Sequence, residues 1–359
     1  MDGVELMKKK VFTGVNVFLF LLPALILFIG FLILPIITSG YYSFLDLNLR
    51  NLNDPKVFCG WDNYRYVFSD TLKLGKAIVN ALILAGLSVF IQLPISLLLA
   101  LVLGRGIKGE RLFLSIFFVP VLISTIIIGQ LFIKIYYPGD GILAQLLDSI
   151  HLAAPKGYVF NPSDAIQPVE CTRALCFFKG KDHITLHQQI GIWLNNADAA
   201  AVAAGTKKFA TEQYPVQWLG SKYLQLGCCF IPILWQYVGY HMLLLYAGVK
   251  SVPPELREAA KLDGATDGQI NRYIVIPHIK SIIKICVIFA VTGSLKSFDL
   301  FFSMLNGQVG TAADVPGTLL YNQMFNANNY GTGSAIAVML IVMCFAFALI
   351  ISTIFKKED

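Results

Sequence analysis

Charged residues are absent from long stretches of this chain and crowd the short segments between them. Five stretches carry no Asp, Glu, Lys or Arg: Val11–Leu45, Ala77–Gly104, Leu112–Ile133, Tyr223–Val249 and Val315–Phe355. The apolar end of the last fits a helix from about Gly333. A sixth stretch near 285–303 is interrupted by Lys296 and Asp299. About 20 apolar residues cross a hydrocarbon core as a helix, so the pattern predicts six spans. The first run is too long for a cleaved signal peptide and no Ala-x-Ala site follows it. Pro23 and Pro35 lie inside it, as membrane helices tolerate.

Composition agrees. Of 359 residues, 56% are hydrophobic and only 14% charged, with a mean hydropathy of +0.66. A soluble domain is about a quarter charged, and disorder needs low hydrophobicity, so both classes are excluded. The fold class expected is an all-α polytopic membrane protein with six transmembrane helices. Residues 1–154 would hold helices 1–3, residues 155–222 a polar extracytoplasmic insert of unknown fold, and residues 223–359 helices 4–6. With six spans, 14 of the 28 basic residues fall on one side. They are Lys8, Lys9, Lys10, Arg105, Lys108, Arg111, Lys250, Arg257, Lys261, Arg272, Lys280, Lys284, Lys356 and Lys357. Segment 304–332, assigned to the other side, has no Lys or Arg. The positive-inside rule then puts both termini in the cytoplasm.

The cytoplasmic segment 250–284 predicts two short helices around a glycine. Pro253 and Pro254 suit a first helical turn, where a missing N–H costs nothing. Glu255 and Glu258 favour its positive end. Leu256, Ala259, Ala260 and Leu262 form an apolar stripe. Gly264 can end the helix in the left-handed conformation. Asp267 is the expected cap of the second helix, and Pro277 resets the chain before the fifth span. Glu258-Ala259-Ala260, Gly264, Ile274 and Pro277, at this spacing, resemble the EAA loop of binding-protein-dependent ABC importer permeases. Ile276 stands where the family has Leu before the proline.

The resemblance implies the fold of type I importer permeases, with the EAA loop as the ball that sits in a socket on an ATPase subunit. Trp61–Asp70 with Gly60, Trp235–Thr266 and Ser294–Leu305 are similar to carbohydrate permeases of the maltose and glycerol-phosphate type, in the same order. By that likeness the chain is the first of two non-identical permease subunits. Its partners would be a second homologous permease, two ATPase subunits and an extracytoplasmic solute-binding protein, in a bacterial or archaeal cytoplasmic membrane. ATP and Mg would belong to the ATPases. This chain has no G-x-x-x-x-G-K-[ST] phosphate loop and no catalytic set is expected.

Polar groups inside spans face protein or a cavity. Gln92, Gln130, Gln236, Tyr237, Tyr240, His241, Ser294 and Ser297 are such groups. Gln236, Tyr237, Tyr240, His241, Ser294 and Ser297 are the candidates for a substrate pathway, against a plain role in interhelix hydrogen bonding. Lys296 and Asp299 are spaced to meet on one helix face. In the insert, Cys171, Cys176, His183 and His187 have a spacing that resembles a zinc set only weakly. A Cys171–Cys176 disulfide and no bond at all are the alternatives. Residues 184–205 read as helix-forming and Ala-rich. Two function classes stand side by side: a transport subunit, or a membrane-anchored sensor or assembly protein that uses the insert as a binding module. The EAA pattern favours the first.

Overall fold

The computed structural model describes residues 14–51, 54–69, 71–138, 141–149, 151–153, 183–185 and 218–356. Its main helices are α1 (Val17–Tyr42), α2 (Asp62–Val67), α3 (Leu74–Leu103), α4 (Glu110–Leu122), α5 (Thr125–Ile135), α6 (Ile142–Asp148) and α7 (Gln225–Ser251). They continue as α8 (Pro254–Leu262), α9 (Asp267–His278), α10 (Lys280–Leu295), α11 (Asp299–Met304), α12 (Pro316–Tyr321) and α13 (Tyr330–Lys356). Four of these, α1, α3, α7 and α13, are long and apolar enough to cross a membrane, and the number rises to six if each of two bent pairs is one span.

The bends correct the sequence picture. The third apolar run is not one helix, because α4 and α5 meet at 95° across Ile123–Ser124. Pro120, near the end of α4, removes one backbone donor just before the break. α9 and α10 meet at 72°. The run near 285–303 is also divided, since α10 stops at Leu295 and α11 starts at Asp299. Lys296 and Asp299 therefore do not share a helix face, and they form no ion pair among the described residues.

Prolines explain a second irregularity. Three wide π turns, Ile29–Ile33, Ser88–Gln92 and Asn271–Val275, each end two residues before a proline: Pro35, Pro94 and Pro277. In each, the N–H of the residue before the proline bonds the carbonyl five residues back. A proline ring crowds the carbonyl four residues earlier, and a widened turn relieves that clash without ending the helix.

One compact unit comprises the residues up to Val79 together with those from Pro316 onward. Its core joins Val67, Leu74, Ala77, Leu319, Ala335 and Ile336. Two short strands, β1 (Leu45–Asp46) and β2 (Val57–Phe58), pair antiparallel after α1. Asn63 of α2 ties the corner: its Nδ2 donates to the carbonyls of Ser43 (2.9 Å) and Leu45 (2.8 Å). Its Oδ1 accepts from Thr332 Oγ1 of α13. α1 presents side chains such as Phe20 and Phe31 outward, as a surface for lipid or for another subunit would.

The other unit spans Asn80–Val315. α7 runs past two apolar clusters. One gathers Leu93, Leu103, Met242, Leu245, Val249, Ile270, Val275 and Ile279. The other gathers Ile128, Phe132, Tyr136, Cys228, Cys229, Leu300, Phe301 and Met304. Small residues let backbones approach, as in membrane bundles generally. A Cβ on Gly239 of α7 would collide with the Phe117 carbonyl oxygen of α4. After α11 the chain is pinned at Asp314, whose carboxylate accepts from the N–H groups of Gly310 and Thr311 and from the Thr311 hydroxyl. Asn80 donates to the carbonyls of Ala312 and Asp314.

Most of the insert, with Cys171, Cys176 and His187, lies outside the described residues. β4 (His183–Thr185) lies within it and pairs antiparallel with β3 (His151–Ala153), which lies just before it. The helix read over 184–205 therefore does not include Ile184 and Thr185, and His183 lies on a strand.

Candidate coupling loop and substrate groove

The segment between α7 and α10 folds as the helix pair α8–α9. Pro254 occupies the first turn of α8, with Glu255 beside it and Lys261 in the last turn. Both charges suit the helix dipole. The helix ends in a Schellman motif: Gly264 N–H bonds the Lys261 carbonyl (3.1 Å) and Ala265 N–H bonds the Ala260 carbonyl (2.9 Å). That closure needs a left-handed residue at the turn, and Gly264 has φ +82°. The cap of α9 is Thr266 rather than Asp267. The Thr266 hydroxyl accepts from Gln269 N–H, and the Gln269 side chain accepts from Thr266 N–H, a complete capping box. Asp267 is the first helical residue instead.

The pair has two faces. Inward, Ile270 and Val275 are buried among Leu103, Leu245 and Val249, and Ala260 packs partly against the same cluster. Polar ties fix it further. Asp267 Oδ2 lies 3.4 Å from Arg105 at the end of α3. Arg257 Nη2 donates to the Val249 carbonyl at 2.5 Å. Nearby, Glu110 of α4 takes a hydrogen bond from Tyr246 and an ion pair from Lys250 at 3.2 Å, which joins α4 to α7. Outward, α8 buries no residue. Glu258 and Ala259 are exposed, and so are Leu262 (89%), Tyr273 (69%) and Leu256. Exposed apolar side chains rimmed by charge are what protein- and membrane-interaction sites present. Ile274 is partly buried and Pro277 is exposed.

A second feature lies at the α4–α5 break. A groove of about 550 Å³ is lined by Ser124, Thr125, Gln236, Tyr237 and Asp299 together with apolar residues of α4 and α5. Breaks in helices free backbone groups, which membrane interiors tolerate only when partners are supplied. Gln236 supplies one: its Nε2 donates to the Ile123 carbonyl (3.3 Å) and to Thr125 Oγ1 (3.2 Å). At 1.5 Å per residue, the groove lies about 20 Å along α4 from the loop end.

The predicted pathway residues divide. Gln236 and Tyr237 line the groove. His241 is buried at 3% exposure, its Nδ1 2.9 Å from Gln92 Nε2 and 3.0 Å from the Tyr237 carbonyl. Tyr240 packs against His241 and Phe289. The Ser294 hydroxyl donates to the Ala290 carbonyl and stands 3.4 Å from Ser88 Oγ. Ser297 lies in the break between α10 and α11, partly buried. Gln130 donates to Ser303 of α11. Ser124, Thr125 and Asp299 were not among the predicted pathway residues. The signal for the first two was a Ser-Thr step inside an apolar run, four residues after Pro120.

The family model described as the binding-protein-dependent transport system inner membrane component matches residues 92–357, a range that includes both the helix-pair loop and the groove. The chain belongs to this family. It is a permease subunit of a binding-protein-dependent ABC importer. This permease is similar along its length to the probable ABC transporter permease protein YurN of Bacillus subtilis (strain 168), with 28% identity over 95% of this chain and 97% of the relative. It is also similar to the multiple sugar-binding transport system permease protein MsmF of Streptococcus mutans serotype c, with 24% identity over 90% of this chain and 89% of that one. A crystal structure of a bacterial ABC transporter involved in the import of the acidic polysaccharide alginate shares the permease fold. Its TM-score is 0.68 at 20% identity, over 98% of both chains.

Proposed function

We propose that this permease imports a sugar or oligosaccharide by alternating access, driven by ATPase subunits that seat on the α8–α9 loop. The observation that carries this reading is the two-faced loop. Its inner face is seated on the ends of α3 and α7 by buried side chains, with the exposed Arg105–Asp267 pair beside them. Its outer face offers Leu256, Leu262 and Tyr273 with Glu258 beside them. A push on such an element moves the spans as a body. Glu258, Ala259, Ala260, Gly264, Ile274 and Pro277 are the residues assigned to this coupling.

Six spans are assigned: α1, α3, the bent α4–α5, α7, α10 and α13. The basic clusters then lie on the cytoplasmic side with both termini. A second homologous permease, two ATPases holding ATP and Mg, and an extracytoplasmic binding protein complete the assembly. The sugar assignment is supported by MsmF's named substrate class and by the hydroxyl and amide groups around the groove. The test is purification of the tagged chain from gently solubilised membranes, with partners identified by mass spectrometry. A co-purifying permease and ATPase are expected. Recovery of a well-folded chain without any ATPase would overturn the proposal.

A further inference from the structure

We infer that Asp299 is a charge selector in the groove, so that the pathway accepts neutral or amino saccharides and turns away acidic ones. The inference rests on the sugar reading above and narrows its substrate class.

Among the described residues, Asp299 is the only charged one that lines the groove. It opens α11 directly after the break at Lys296–Phe298. Among the described residues, too, Asp299 makes no ion pair. The nearest cation in sequence, Lys296, is exposed at the end of α10 and is not part of the lining. The charge at the groove is therefore negative and uncompensated by its lining.

The neutral groups fit the same ligand. Gln236 is 3% exposed, and its Oε1 is buried without a hydrogen-bond partner. Its Nε2 is already committed to Ile123 and Thr125. The exposed Asp299 carboxylate is thus matched to a ligand rich in O–H or N–H donors, and the buried, unpartnered Gln236 Oε1 lies in the groove wall beside it. Tyr237, 38% exposed, adds an aromatic face and a hydroxyl. A uronate or sulfate would meet the exposed Asp299 carboxylate and be repelled by its like charge. A neutral sugar would donate to the same oxygens, and an ammonium group would pair with them. The structural relative that imports acidic alginate shares the fold at 20% identity, which leaves groove chemistry free to differ.

The test uses the assembled transporter in native membranes. The seven cysteines are replaced by alanine, and Ser124→Cys places one thiol in the groove lining. Its rates with a cationic trimethylammonium and an anionic sulfonate methanethiosulfonate reagent are compared, each scaled to a free thiol. We expect the cation to be favoured by about fivefold or more, and Asp299→Asn to bring the ratio close to that of the free thiol. An equal ratio with and without Asp299→Asn would overturn the proposal. In parallel, equilibrium dialysis of the purified complex against labelled maltotetraose and tetragalacturonate reads selectivity. Binding of maltotetraose alone, with gain of tetragalacturonate binding in Asp299→Asn, supports the proposal. Equal binding of both by the unaltered complex refutes it. If neither sugar binds while the labelling ratio still follows Asp299, the charge filter stands and the sugar assignment falls.

Discussion

Replacing Gly264 separates the coupling role of the loop from its contribution to folding. Gly264 sits at φ +82°, and no atom lies within 4 Å of the point a Cβ would occupy, so space is not the constraint there. Gly264→Ala therefore costs only the left-handed backbone, about 1–2 kcal/mol. Gly264→Pro costs more. Its φ is fixed near about −65°, so the chain cannot make the turn, and both Schellman bonds are lost, at about 1 kcal/mol each beyond the backbone strain. The two bonds alone come to about 2 kcal/mol, concentrated on an exposed turn. The cluster around Ile128, Phe132 and Phe301 is built from other elements and is not touched. The assay is ATP-driven uptake by the transporter in proteoliposomes with its binding protein, alongside ATP hydrolysis. The Ala variant should lose up to about tenfold in uptake, as about 1.4 kcal/mol of loop distortion allows. The Pro variant should insert and elute normally from size-exclusion chromatography, yet show background uptake and no stimulation of hydrolysis by the binding protein. Uptake at the unaltered rate in Gly264→Pro would refute the reasoning.

Other expectations follow from the packing. Gly239→Val must push α7 off the Phe117 carbonyl, which leaves no room for a Cβ; overpacking of about 1–3 kcal/mol should lower the midpoint of thermal aggregation in detergent, and an unchanged midpoint would contradict the contact. Asn63→Leu strands the Ser43 and Leu45 carbonyls, at about 1–3 kcal/mol, and should make the region near β1 more sensitive to limited proteolysis. Gln236→Leu leaves the Ile123 carbonyl unpaired at the break; uptake should fall while ATPase co-purification stays intact. Glu110→Gln removes a partly exposed ion pair to Lys250, and such pairs contribute so little that uptake should stay within about twofold.

Four long apolar helices were legible because a run of uncharged residues has few fates other than a membrane helix. The loop was legible for a different reason: proline, acid, small residues and glycine each have a positional meaning at helix ends, and they stood in one order. The breaks were not legible. Ser124 sits in a run as apolar as its neighbours, and hydropathy sums composition without regard to direction. The Lys296–Asp299 spacing implied a shared helix face only if the helix continued, and Phe298, at φ −145° and ψ −60°, shows that it does not. Thr266 and Asp267 are both good caps. The choice between them was set by Gln269, three residues after Thr266, which completes the capping box. Prolines inside the spans were visible, but the widened turns that accommodate them were not. Among the pathway candidates, sequence identified polar side chains but not which of them face a groove. Gln236 and Tyr237 line it, whereas His241 is buried with its Nδ1 against Gln92.

Everything proposed for transport turns on whether the outer face of α8–α9 receives the ATPase. The most direct measurement places a photo-cross-linking amino acid at position 262, whose native leucine is 89% exposed, and irradiates intact membranes. Position 90, where Phe90 is 80% exposed on α3, serves as the comparison outside the loop. The account predicts an adduct with an ATP-hydrolysing subunit from position 262 and none with it from position 90. An adduct from position 262 with lipid or unrelated protein alone, in membranes that still import substrate, would contradict it.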